Sequence, residues 1–227
     1  MIEATSRILI LDFGSQTTQL IARRVREAKV YCEIHPFNMS IDAVRAFNPR
    51  GIILSGGPAS VYDEDAPRPD SQIFDLGLPI LGICYGMQTL TRHNGGKVES
   101  SPEREFGRAM LQITNNTGIF EDFENNSSQV VWMSHGDRLI EPPPGFVVTA
   151  TSENGVPAAI ANTDKHWYGV QFHPEVVHTP NGATIIERFV HKICDAPATW
   201  TMQSFTEQTI ADLRERLAGK NVLCGLS

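Results

Sequence analysis

Short apolar runs that alternate with helix-patterned stretches constrain this chain more than any other feature. Residues 7–11, 30–34, 51–54 and 79–83 are each four or five residues long and mostly apolar. Runs that short and that apolar read as strands buried on both faces. Between them, residues 17–28 place Leu20, Ile21 and Val25 among Arg23, Arg24 and Glu27, the pattern of an amphipathic helix. Residues 41–47, 71–76 and 85–93 give three more helical stretches, the last closed by Asn94-Gly95-Gly96. This alternation predicts parallel βαβ units, hence an α/β fold with an open, mostly parallel sheet flanked by helices. Right-handed crossovers place the loops after Leu11, Leu54 and Ile83 on one edge, at the carboxyl ends of the strands, where such sheets bind ligands.

The middle of the chain follows another rule. Residues 106–114, 129–133, 146–151, 158–161 and 167–172 read as strands with no long helix between them. They predict an antiparallel or mixed segment added to the sheet. Residues 183–194 return to helix. Residues 195–199 have linker character, and beyond them Met202, Phe205, Thr209, Leu213 and Leu217 recur at helical spacing. Ser204 and Glu207 suggest a capping box there, and Gly219 a stop. Residues 221–224 read as the opening of one more strand. The expected organisation is a first domain over 1–195, then a linker helix and the first strand of a second, cut-off domain over 196–227.

With 19 Lys and Arg against 26 Asp and Glu, the net charge is −7. A mild acidic excess argues against a general grip on nucleic acid or on an anionic membrane surface. The N-terminal apolar run is too short for a signal sequence and no window approaches a membrane span. Four widely spaced cysteines, Cys32, Cys84, Cys194 and Cys224, suit a reducing compartment better than a disulfide framework and offer no paired metal ligands. The expectation is a cytoplasmic protein with no metal site.

One cysteine has a special setting. Pro79-Ile80-Leu81-Gly82-Ile83-Cys84-Tyr85-Gly86 has strand–turn–helix context and the Gly-x-nucleophile-x-Gly spacing of a nucleophile elbow. Glycines at 82 and 86 let the strand enter and the helix leave a tight turn. At a helix N-terminus the Cys84 thiolate is favoured by the helix dipole. A buried inert thiol is the ordinary role for a lone Cys, and Cys32, Cys194 and Cys224 are assigned it. A Cys nucleophile needs a base. His173 follows an apolar strand, with Glu175 two residues on, and an extended segment would put both on one side. Pro174 favours that extended form. A carboxylate there would fix the imidazole tautomer and stabilise the imidazolium. His35, His93, His166, His178 and His191 lack such a setting. The Tyr85 N–H follows the nucleophile, and Ser55-Gly56-Gly57-Pro58 lies on the same sheet edge, so both suit an oxyanion hole. Trp132-Met133-Ser134-His135-Gly136-Asp137 is a polar cluster that can hold the charged end of an amino acid, although a plain β-turn would look the same.

Gly82-Ile83-Cys84-Tyr85-Gly86-Met87-Gln88 with Gly169-Val170-Gln171-Phe172-His173-Pro174-Glu175 resembles the class I (triad) glutamine amidotransferases. Leu11-Asp12-Phe13-Gly14-Ser15-Gln16, Ile53-Leu54-Ser55-Gly56-Gly57-Pro58, the Trp132-to-Asp137 cluster and His173-Pro174-Glu175-Val176-Val177-His178-Thr179 extend the resemblance from residue 7 to about 195. It implies a flavodoxin-like core, and a Cys84–His173–Glu175 triad that hydrolyses L-glutamine through a glutamyl thioester. It further implies an oxyanion hole from the Gly57 and Tyr85 amides, and a glutamine pocket to which Gln88, Ser134, Gly136 and Asp137 contribute. No cofactor is implied for this step. The tail, Val222-Leu223-Cys224-Gly225-Leu226-Ser227, is similar to the strand that leads into the pyrophosphate loop of an ATP-pyrophosphatase (synthetase) domain. That domain is the implied partner, with ATP and Mg expected only for the full-length enzyme. Relatives often carry an aromatic residue after Gln16, where this chain has Thr17, and the position is expected to lie away from the triad. The alternatives are the glutaminase of another triad amidotransferase, a non-catalytic docking domain, and a generic cysteine hydrolase of related architecture.

Overall fold

The computed structural model describes residues 7–223, without side-chain placement at 101–104, 208 and 212. Strands β1 (Arg7–Asp12), β2 (Tyr31–Pro36), β3 (Gly51–Leu54) and β4 (Ile80–Ile83) alternate with helices α1 (Thr18–Glu27), α2 (Ile41–Phe47) and α3 (Tyr85–His93). Strands β5 (Lys97–Ile113), β6 (Ser128–Glu141), β7 (Val147–Ser152), β8 (Pro157–Asn162) and β9 (Trp167–Val170) follow, then α4 (Gly182–Arg188), a π-helical turn at Phe189–Ile193, and α5 (Met202–Arg216). All nine strands share one sheet, in the order β2-β1-β3-β4-β9-β8-β7-β5-β6. The first five in that order pair in parallel and the rest antiparallel. Strand β9 is the seam, parallel to β4 on one side and antiparallel to β8 on the other.

Alternation along the strands splits the core in two. Ile8, Ile10, Ile53, Leu81 and Ile83 face α1, α4 and the π-helical turn, where they meet Ile21, Val25, Ile185 and Phe189. Leu9, Leu11, Ile52, Leu54 and Ile80 face the other way, onto Val44, Phe47, Met87 and Leu90 of α2 and α3. Burial on both faces is why these strands read as unbroken apolar runs. The register pairs Leu11 with Leu54 and Ile83 with Val170, so the loops after β1, β3, β4 and β9 open on one edge.

Several expectations need correction. β5 begins at Lys97, well before the expected 106, and passes through an irregularity between Ser100 and Glu105. β6 runs on to Glu141, so the Ser134-to-Asp137 cluster lies within a strand and not in a terminal turn. Residues 71–76 form a 3-10 turn, Ser71–Asp75, capped by the Asp70 carboxylate. The capping box before α5 joins Thr201 and Ser204, each side chain accepting the other's backbone N–H at 3.0 Å, in place of Ser204 and Glu207. Residues 221–223 form no strand, and Cys224 to Ser227 lie outside the described residues. Among the described residues no helix is long and apolar enough to cross a membrane.

Candidate active site

The loop edge of the sheet opens into a cleft of about 1200 Å³. Gly57, Cys84, Gln88, Ser134, Gly136, Asp137 and His173 all line it. Cys84 is the N-cap of α3, with φ +53° and ψ −108°. A non-glycine residue in the left-handed region costs roughly 1–3 kcal/mol, so the surrounding structure must impose it. The Cys84 N–H donates to Val170 O at 2.7 Å, which ties the elbow to the end of β9. A Cβ on Gly82 would come within 2.6 Å of the Gly86 backbone, and one on Gly86 would strike the Leu54 backbone. Both glycines are therefore required by contact.

Opposite the elbow, His173 Nδ1 and Glu175 Oε1 are 2.7 Å apart. The pair reaches this geometry through a turn after β9, and not through the extended segment expected from the sequence. The turn is latched by Thr179, whose hydroxyl donates to His173 O at 2.7 Å and accepts from Trp132 N–H at 3.0 Å. Burial alone would lower the His173 pKa, but hydrogen bonds to Cys84 and Glu175 and their negative charges outweigh it and raise it to about 10. An imidazolium held this firmly stabilises a thiolate beside it. The Glu175 side chain is fully buried, and its Oε2 has no hydrogen-bond partner among the described residues.

Two amides fit an oxyanion. Tyr85 is the first residue of α3, where a helix leaves its N–H groups unpaired. Among the described residues neither the Tyr85 nor the Gly57 N–H donates to a protein acceptor. A Cβ on Gly57 would sit 2.7 Å from Phe13 O, and one on Gly56 3.2 Å from the His173 ring, so this loop packs as bare backbone against the site. The Tyr85 side chain points away, its hydroxyl donating to Pro67 O at 2.8 Å.

The remaining expected pocket residues are brought together, some with their groups already engaged. Gln88 Nε2 donates to Asp137 O at 3.1 Å and to Gln171 Oε1 at 3.3 Å. The Asp137 carboxylate accepts from the Ser60 hydroxyl at 2.5 Å. Ser134 is exposed at the lip, and its carbonyl lies 3.7 Å from Cys84 Sγ. His135 contacts Asp137 O through Nδ1 at 2.9 Å and approaches Glu105 with Nε2 at 3.2 Å, while burial lowers its pKa.

Sequence reasoning missed Ser60, Gln171 and Thr17. Gln171 Nε2 lies 3.7 Å from Cys84 Sγ, and only its place inside the His173 motif hinted at this. Thr17 is a correction: far from lying away from the triad, its hydroxyl donates to Glu175 Oε1 at 2.7 Å. The other described cysteines do fit inert roles. Cys32 is fully buried with its thiol pushed up to about 11 by desolvation, and burial raises Cys194 as well. Brief iodoacetamide treatment at pH 7, read by peptide mass spectrometry, is expected to modify Cys84 well before Cys32 or Cys194. Equal labelling of all three would contradict this.

A family model of the class-I glutamine amidotransferases matches residues 9–193. The chain belongs to this family. It is 56% identical over 221 residues to the GMP synthase [glutamine-hydrolyzing] of Brachyspira hyodysenteriae, covering 97% of this chain and 43% of that protein. The GMP synthase [glutamine-hydrolyzing] of Bacillus subtilis is 50% identical over 220 residues, with 97% and 42% covered. The chain thus spans less than half the length of the curated relatives it matches. Among solved structures, a candidate GMP synthase subunit from Thermoplasma acidophilum superposes with a TM-score of 0.70 at 28% identity, over 91% of this chain and 98% of that one. A glutamine amidotransferase from Thermotoga maritima shares the fold, with a TM-score of 0.68 at 16% identity over 84% and 99%. The mixed sheet flanked by helices is therefore that of this amidotransferase family.

Proposed function

We propose that the chain hydrolyses L-glutamine to glutamate and ammonia. The observation that carries this is that Cys84 and His173 line one cleft, with Glu175 buried behind His173 and bonded to its Nδ1, beside two free amides. The Cys84 thiolate attacks the side-chain carboxamide, and the Gly57 and Tyr85 N–H groups hold the resulting oxyanion. The C–N bond breaks as the His173 imidazolium gives its proton to the departing ammonia, leaving a glutamyl thioester. Neutral His173 then takes a proton from water as that water attacks the thioester. Glutamate leaves, and thiolate and imidazolium are restored. Glu175 orients His173 throughout, and the step draws on no metal or cofactor. The wall from Gln88 to Asp137 gives the polar lining that a zwitterionic amino acid needs.

Similarity to GMP synthases supports the further reading that the ammonia feeds a synthetase (ATP-pyrophosphatase) domain of a longer cytoplasmic protein, which uses ATP and Mg²⁺ to convert XMP to GMP. In that reading residues 1–195 are the glutaminase domain and 196–227 lead into the synthetase. A non-catalytic docking role is disfavoured by the intact triad. The test is glutamate release from glutamine with Cys84→Ala as control, together with the rate of Cys84 alkylation with and without glutamine. Release lost in the variant, or slowing of alkylation by glutamine but not by asparagine, supports the proposal. Alkylation indifferent to glutamine, with no glutamate released, would sink it.

A further inference from the structure

We propose that Thr17 is a positioning residue for the triad, with its hydroxyl fixing the Glu175 carboxylate against His173. The inference rests on the glutaminase reading above and adds to it a residue placed by contact across the fold.

Glu175 Oε1 accepts two hydrogen bonds, from His173 Nδ1 at 2.7 Å and from Thr17 Oγ1 at 2.7 Å. Its other oxygen is buried without a partner among the described residues. The carboxylate is thus held through one atom, and the Thr17 hydroxyl is the neutral donor on that atom. An ionised carboxylate can only accept, so Thr17 must donate to it. With its single proton committed, Thr17 Oγ1 can only accept from Ser15 Oγ, 2.9 Å away. Ser15 Oγ accepts in turn from the Thr17 backbone N–H at 3.1 Å. Proton direction along the hydroxyls is therefore fixed, from Ser15 to Thr17 to Glu175. The whole device sits on the loop between β1 and α1, where Ser15 and Thr17 line the same cleft as Cys84 and His173. Among the described residues, the charged and titratable groups hydrogen-bonded to Glu175 are His173 and Arg24, whose Nε donates to the Glu175 backbone oxygen at 3.1 Å. Arg24 thereby anchors the main chain of the turn, while Thr17 anchors the side chain.

A carboxylate deprived of this donor is both less stable as an anion and freer to rotate, and each effect weakens its hold on the imidazolium. The consequence is read at Cys84 without any turnover, because His173 is the base beside that thiol. Thr17→Val keeps the shape and removes the hydroxyl, and Thr17→Ser keeps the hydroxyl. The experiment measures Cys84 alkylation by iodoacetamide from pH 5.5 to 9, and glutamate release where it occurs, in the full chain. Thr17→Val is expected to slow alkylation at pH 6–7 about tenfold, by the usual worth of a hydrogen bond to a charged group. Its kcat should fall by a similar factor with KM for glutamine little changed, and Thr17→Ser should stay within about twofold. Thr17→Ala, with its fold checked by circular dichroism, serves as a second hydroxyl deletion. Alkylation profiles of Thr17→Val and Thr17→Ala that superpose on the unsubstituted chain would overturn the proposal. Failure of the glutaminase reading looks different, since Cys84 of the unsubstituted chain would then be neither protected by glutamine nor more reactive than a free thiol.

Discussion

Glu175→Gln lowers kcat for glutamate release on the order of 10³-fold while the fold survives. The amide is nearly isosteric, so packing around this fully buried side chain is kept. What changes is charge and tautomer. In place of a carboxylate that only accepts, the amide can present an N–H to Nδ1 and turn the ring the wrong way, the type of fault that costs three to four decades in other carboxylate-oriented histidines. The pH dependence has a definite sign. In the intact chain the His173 pKa is raised above its ordinary 6.5 to about 10, with burial opposing and the Cys84 and Glu175 interactions prevailing. Its contribution to stability is therefore full below about pH 6.5 and is lost as pH rises through about 10. Removing the Glu175 charge takes away part of what raises it, so the imidazolium is held less firmly at pH 7–8. Steady-state kinetics, with alkylation of Cys84 at pH 6–7 as the companion measurement, checks this. Kinetics within tenfold of the unsubstituted chain would mean that Glu175 does not orient the base.

Gly86→Ala has the largest expected effect on stability. The added methyl would be driven into the Leu54 backbone, with neither a rotamer nor a flexible neighbour to absorb it. Overpacking against main chain in a close-packed core costs about 3 kcal/mol or more. For a chain of this size that lowers Tm by roughly 6–12 °C. Because α3 begins at Tyr85, any relief obtained by shifting the helix also moves the Cys84 thiol and the Tyr85 amide together. Thermal unfolding checks the first effect and Cys84 alkylation the second. A variant with unchanged Tm would show that the elbow is looser than the contact of α3 with β3 implies.

What could be read from the sequence was what is local. The runs at 7–11, 51–54 and 79–83 announced strands because both faces are buried, and the glycines around Cys84 announced the elbow because contact forbids a Cβ there. The start of β5 was hidden, since Ser101-Pro102-Glu103-Arg104 lacks any strand signal and the strand crosses it with a register break. The capping box was misplaced because Ser204 and Glu207 match the usual pattern, whereas the chain actually turns into α5 at Thr201. The His173–Glu175 pair is legible from its spacing, although a turn does what an extended strand would be expected to do. Thr17 could not be found at all, for its partner lies 158 residues away and a single sequence carries no trace of that contact.

The position of β9 bears on how the protein is made. It is the last strand among the described residues, yet it sits between β4 and β8. Until it emerges from the ribosome, β4 has an open edge and the two halves of the sheet have no seam to join them. The nascent chain therefore carries its nucleophile for almost ninety residues of synthesis, from Cys84 to His173, without a base beside it. Closure of the sheet and the approach of His173 to the thiol thus depend on one segment, since the Cys84 N–H bonds Val170 O three residues before His173. A chain made only as far as β8 is exposed to edge-to-edge association and does not yet contain His173.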